Sequence, residues 1–327
     1  MMLSRTAAQY FCRIKHRSME GIMRRGAELF CFGRDVLLVC LGVFVSLGSG
    51  LQDCYGAKSF VVYDATLFTH KPDLRLLGVL PVHIAYEPHL FDERIRAKRS
   101  VDAMPTDSRL RIQADKSREL ASEYTIIDIE AWSVNNSQRY RVEVANNIRK
   151  FEQVVSRYRQ IAPDQKVGLF GPLPVISGYE RLRPNRDFAK YFDMQYDNTN
   201  VVPLFHLVDA VFPIGYTFTD QPEEWRTSME LQVSEIRRIR PGVPIFLFLW
   251  PRYADYGPIE EALKYQLLDP KYWRYQLEAA YELADGVVVW GGWGADNKRE
   301  RWDPEALWWQ ELREFLREKR LSSSSGH

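Results

Sequence analysis

The sequence predicts an α/β protein built as a TIM-like (β/α) barrel, seven-stranded, irregular and single-domain, and three observations carry that expectation. From residue 58 onward, short β-rich apolar runs alternate with amphipathic stretches, the pattern of parallel strands joined by crossover helices. The runs are apolar throughout, so both faces of the sheet must be covered. No glycine-rich phosphate turn follows any of them, and LFGPLP after the fourth run holds two prolines where a dinucleotide turn needs glycines. A barrel is therefore favoured over a nucleotide-binding open sheet.

The expected strands are 59–65 (SFVVYDA), 79–86 (VLPVHIAY), 124–130 (YTIIDIE), 166–171 (KVGLFG), 208–216 (VDAVFPIGY), 243–250 (VPIFLFLW) and 286–292 (GVVVWGG). Helical periodicity covers 139–161 and 223–239. The latter opens after Asp220 and Pro222, a capping residue and a helix-starting proline, and stops before Pro241-Gly242. A chain of 327 residues suits one barrel as well as two average domains, and no internal linker or repeat divides it.

Composition bounds the function. With 46% hydrophobic and 27% charged residues the chain can bury a large core, which excludes wholesale disorder. Its 44 basic and 43 acidic side chains leave a net charge of +1, so no overall field draws it to nucleic acid, which is not an expected partner. All four cysteines, Cys12, Cys31, Cys40 and Cys54, precede the barrel, which leaves the folded domain without a disulfide or a cysteine metal site. The spacing of His83, His89 and His206 fits no zinc signature, and no metal or cofactor is expected. The absence of a Gly-x-Ser-x-Gly elbow argues against a serine hydrolase.

Residues 1–57 read as a targeting segment. The run VLLVCLGVFVSL at 36–47 follows Arg24, Arg25 and Arg34 and has the length of a signal-peptide core, well short of the ~20 apolar residues of a bilayer crossing. LGSG and CYGA supply small residues for processing. Met23 before Arg24-Arg25 makes a more usual start than Met1, so 1–22 is read as an over-extended frame. An uncleaved N-terminal anchor and lipid attachment at Cys54 are the rival readings, the second opposed by Asp53. All three put the domain outside the cytoplasm: secreted, periplasmic or at the cell surface. The barrel is expected over 58–318, with 319–327 as a disordered polar tail.

In a barrel, reactive groups gather where strands end. The third strand ends in two acids. Because side chains alternate, Ile126, Asp128 and Glu130 share one face while Thr125, Ile127 and Ile129 share the other. Two carboxylates with Cα atoms about 6.5–7 Å apart repel each other's second charge, which keeps a proton on the pair toward neutral pH. The structural alternative is a buried ion pair with Arg252, at the end of the sixth strand. Asp255 and Tyr256 follow Arg252 and Tyr253 in a loop at the same mouth. Asn135-Asn136-Ser137 matches a glycosylation sequon.

TIIDIEAW resembles the strand of hyaluronidases, glycoside hydrolase family 56, that ends in Asp-x-Glu-x-x-Trp, with Trp132 one place early. FVVYDATLF, VFPIGYTF, FLFLWPRYADYG and DGVVVWGGW are similar, in order, to further segments of that family, and the resemblance spans most of 58–318. It implies a seven-stranded barrel. It also implies Glu130 as proton donor to the glycosidic oxygen and Asp128 orienting the substrate's own N-acetyl group, which acts as nucleophile. Tyr216 would hydrogen-bond that group, Trp290 would wall the sugar, and Arg252, Tyr253 and Trp132 would complete the substrate contacts. The implied partner is a carbohydrate polymer or glycoconjugate. The chain departs from the pattern at Ala131-Trp132-Ser133-Val134, where a substrate arginine is missing. It departs again in LFGPLPVIS, which has no tyrosine, and it lacks the family's disulfides. Two other classes stay open: a carbohydrate-binding or cell-surface barrel without turnover, and a glycosidase with a protein nucleophile such as Asp220 or Asp255.

Overall fold

The computed structural model describes residues 59–92, 103–134, 141–175, 195–257, 259–296 and 298–324. The chain divides into two units, Met1–Tyr55 and Gly56–His327, and every described residue belongs to the second. The expected targeting segment and the glycosylation sequon lie outside the described residues.

Seven staves, all parallel, close a barrel. They are β1 (Val61–Thr66), the run made of β2 (Val79–Pro81) and β3 (His83–Tyr86), β4 (Tyr124–Asp128), β5 (Lys166–Leu169), an extended segment at 211–217, β6 (Phe246–Leu249) and β7 (Gly286–Gly291). β1 lies between β2 and β7, and β7 pairs with β6. On the other side β4 lies between β3 and β5. The second stave thus joins the two sheets by giving its first half to β1 and its second half to β4.

The fifth stave is where sequence and structure differ in kind. The run expected as a strand at 208–216 forms single bridges instead, Phe170 with Phe212, Val211 with Ile245 and Ile214 with Phe248. Pro213 has no N–H for a ladder, although its carbonyl still accepts from Phe248 N at 2.9 Å.

Period-two alternation sorts the side chains. Tyr63, Ile126, Phe248 and Val288 point into the barrel, while their neighbours Val62, Ile127, Leu247 and Val287 face the helices. The interior is largely aromatic: Tyr63 and Phe246 meet edge to face at 5.1 Å, and Phe212 stacks on Phe246 at 5.6 Å. Each such buried ring contributes about 1.5–3 kcal/mol. Gly168 makes the room, since a Cβ there would lie 2.2 Å from the Phe212 ring.

The outer layer holds α1 (Asp107–Glu119), α2 (Arg141–Ile161), α3 (Pro222–Ile239), α4 (Pro270–Leu283) and α5 (Leu307–Ser324). Local chemistry starts them: Thr106 and Asp269 cap α1 and α4, and prolines open α3 and α4. α3 begins with Glu223 and Glu224 and ends with Arg237 and Arg238, matching the helix dipole. α5 runs to Ser324, six residues past the expected domain end at 318, because its apolar face, with Leu312 and Phe315 buried, carries the helix into the polar stretch. No helix among the described residues is long and apolar enough to cross a membrane. The first connection, between β1 and β2, carries only the 3-10 turn Leu74–Leu77 and leaves that edge of the barrel without a full covering helix.

Candidate active site

The C-terminal ends of the staves surround a cleft of about 450 Å³. Asp128, at the last position of β4, lies in register with Tyr86 at the end of β3, and both side chains line the cleft. The strand ends there. Glu130 stands in the turn that follows instead of on the strand itself, at the exposed rim of the same cleft. The alternation expected from the sequence holds up to this point, with Ile126 inside the barrel and Ile127 and Ile129 in the outer core.

Electrostatics single this pair out. Asp128 is 6% exposed, and its Oδ1 is buried with no hydrogen-bond partner. Burial, reinforced by the charges of Glu130 and Glu87, pushes its carboxyl up to about 8. Glu130 is raised as well, by loss of solvent and then by Glu87 and Asp255. Among the described residues neither acid has an ion-pair partner. The alternative of a buried pair with Arg252 is excluded, because that guanidinium binds Glu300 at 2.8 and 2.9 Å and donates to the Tyr265 carbonyl.

Aromatic residues build the walls. Tyr216 is 8% exposed and packs against Trp250 and Trp290, each 5.8 Å away, and burial raises its phenol well above the ordinary value. Trp290 donates from Nε1 to the Tyr86 hydroxyl at 3.0 Å. Trp250 offers a second buried atom without a partner, its Nε1. Opposite, Asp255 accepts from the Tyr265 hydroxyl at 2.9 Å and lines the cleft beside Tyr256.

Of the residues expected at the site, the structure brings together Asp128, Glu130, Tyr216, Trp290 and Trp132. Trp132 serves as floor, 4% exposed and wedged edge-on between Phe91 and Phe151. Arg252 and Tyr253 do not line the cleft. Arg252 is held by Glu300, and Tyr253 faces Tyr272 at 6.4 Å, since successive side chains leaving β6 diverge. Asp220 is exposed and bound to Gln221, away from the cleft, so of the two protein nucleophiles considered only Asp255 is near the pair. His83 has a structural role: its Nε2 meets Gln113 at 3.2 Å, and burial lowers its pKa to about 4. Sequence reasoning missed Tyr86, Glu87 and Trp250. Tyr86 and Trp250 end the expected second and sixth strands and Glu87 follows the first of these, so the rule that singled out Asp128, applied there, would have pointed to them.

A second cavity of about 870 Å³ opens over the uncovered β1–β3 edge. It shares Ile84, Tyr86 and Trp290 with the cleft, so the hydrogen-bonded Tyr86–Trp290 pair forms the partition. Its lining includes the Lys71–Asp64 ion pair at 2.6 Å, and Trp293 with the Arg299 guanidinium 5.8 Å from its ring.

Fold and site together define a TIM-like barrel with an acid-lined C-terminal cleft. No sequence-family description matches the chain, and no curated protein does. Solved structures do. Bee venom hyaluronidase superposes with a TM-score of 0.51 at 16% identity, covering 81% of this chain and 99% of that one. The same enzyme in complex with a hyaluronic acid tetramer gives 0.50 at 14%, covering 82% and 97%. At such identities the likeness shows the fold alone.

Proposed function

We propose that this chain is an exported glycoside hydrolase acting on a polysaccharide or glycoconjugate that contains an N-acetylated hexosamine. The observation that carries the reading is the unpaired acid pair. Two carboxyls at one strand exit line a cleft and, among the described residues, have no cation paired to them, one of them holding a buried oxygen without a partner. A buried acceptor left open costs about 1–3 kcal/mol, and a substrate amide N–H at Asp128 Oδ1 would satisfy it.

In this reading the amide N–H favours ionised Asp128 and leaves the shared proton on Glu130. The acetamido carbonyl oxygen attacks the anomeric carbon while the glycosidic C–O bond breaks and its oxygen takes the proton from Glu130. Water then opens the resulting cyclic intermediate as Glu130 takes a proton back, so the anomeric configuration is retained. Tyr216 hydrogen-bonds the acetamido group, and Trp290 supplies an apolar wall to the sugar face. Export rests on the apolar run at 36–47 behind its arginines. N-terminal sequencing of the protein from its source would show a start after residue 47 if the segment is cleaved, and a start at Met1 or Met23 if it is not.

A second reading, a carbohydrate-binding barrel without turnover, is favoured by one observation: Arg252 and Tyr253 are turned away from the cleft. A panel of glycans offered to the wild type, Glu130→Gln and Asp128→Asn separates the two. Cleavage by the wild type alone supports the hydrolase, and binding without cleavage by all three overturns it.

A further inference from the structure

Glu87 follows Tyr86 at the exit of β3, next to the strand that ends in Asp128. Its Oε2 accepts a hydrogen bond from the peptide N–H of Ala131 at 3.0 Å. That N–H belongs to the peptide plane joining Glu130 to Ala131, in the turn where the β4 ladder has stopped. The half-buried Glu87 side chain therefore takes over the job of the missing ladder.

We propose that Glu87 is a positioning residue for the acid pair, acting through the Ala131 N–H on the turn that carries Glu130. The inference rests on the reading of Glu130 as the proton donor. The turn has the freedom of a loop unless something fixes it, and a catalytic acid misplaced by ~1 Å loses much of its effect. A carboxylate is a stronger acceptor for a peptide N–H than a neutral group.

Glu87 also places a third negative charge beside the pair, which favours the protonated form of both acids. Among the described residues, the other groups facing the pair leave this effect uncancelled. Asp255 adds to it on Glu130. Tyr86 and Tyr216 are neutral phenols whose own ionisation is held off by burial. Among the described residues, Arg299 lies over Trp293 and Lys150 over Trp132, while burial lowers the pKa of His89, whose ring meets Tyr86 edge-on at 6.1 Å.

The test compares wild type, Glu87→Gln and Glu87→Ala in isotopically labelled protein, reading Ala131 amide hydrogen exchange and the Glu130 carboxyl titration by NMR. Gln keeps the acceptor and loses the charge; Ala loses both. Exchange at Ala131 should rise about 3- to 10-fold in Glu87→Ala, the worth of one net hydrogen bond, and stay near wild type in Glu87→Gln. The Glu130 midpoint should fall in both variants. On a cleaved glycan, kcat should drop in Glu87→Ala with KM little changed, and Glu87→Gln should recover most of it while its alkaline limb moves to lower pH. Unchanged exchange in Glu87→Ala, or an unmoved midpoint in Glu87→Gln, overturns the proposal. Both NMR readouts need no turnover, so an inactive wild type would sink the hydrolase reading and leave this one decided on its own evidence.

Discussion

Three acids at the N-terminal end of the barrel and the acid pair at its C-terminal end are held in opposite ways. At the N-terminal end Asp285 accepts from Ile245 N and binds Arg237, Asp209 accepts from Val167 N and binds Arg159, and Glu123 holds Lys166 and the Tyr63 hydroxyl. Each of these three carboxylates has a cation and a protein hydrogen-bond donor. At the C-terminal end Asp128 and Glu130 have neither among the described residues, and the charges acting on them are those of further acids. The first arrangement holds strands together. The second leaves a proton stranded on a buried pair beside an open cleft, which a folding protein gains nothing by keeping.

The largest effect expected from this contrast is catalytic. Glu130→Gln should keep the fold and lower turnover by about 10²- to 10⁴-fold, the usual worth of a placed general acid. Undiminished turnover would assign the proton to another group, Asp255 first.

A stability measurement against pH sharpens the contrast next. Asp128 rises from its ordinary 3.8 to about 8 in the folded state, so the folded protein binds its proton more tightly than the unfolded chain does. Stability from this group is full below pH 4 and is lost as pH climbs from about 4 to about 8. Denaturant unfolding of Asp128→Asn beside wild type should therefore show a gap in favour of the variant that widens across that window. A gap that is flat with pH would mean that Asp128 ionises normally.

The smallest effect belongs to the other end. Asp285→Ala leaves the fully buried Ile245 without its acceptor and should cost about 1–3 kcal/mol in unfolding free energy. Turnover per folded molecule should not change, and a loss there would mean that the ends are coupled.

Much of this was legible in the residues. Seven apolar runs gave seven staves, because strand alternation and apolar character are local properties that the barrel only assembles. The proline in the fifth run was visible, but its consequence, a stave made of single bridges, depends on which neighbours remain to be paired. That Asp128 and Glu130 would meet at the barrel mouth was read from position alone. What could not be read was where each side chain turns after its strand ends. Arg252 stood at the right strand and in the right order, yet Glu300, 48 residues away, captures it. Glu87 escaped notice for the same reason in reverse, since its partner Ala131 lies 44 residues along the chain.

The most direct test of the central claim is the stereochemistry of the first product released from a polymer of N-acetylated hexosamine, followed by proton NMR before the anomers equilibrate. A product with the anomeric configuration of the cleaved bond, formed by wild type and lost in Glu130→Gln, is the predicted result. An inverted product, or equal release by the variant, would contradict it.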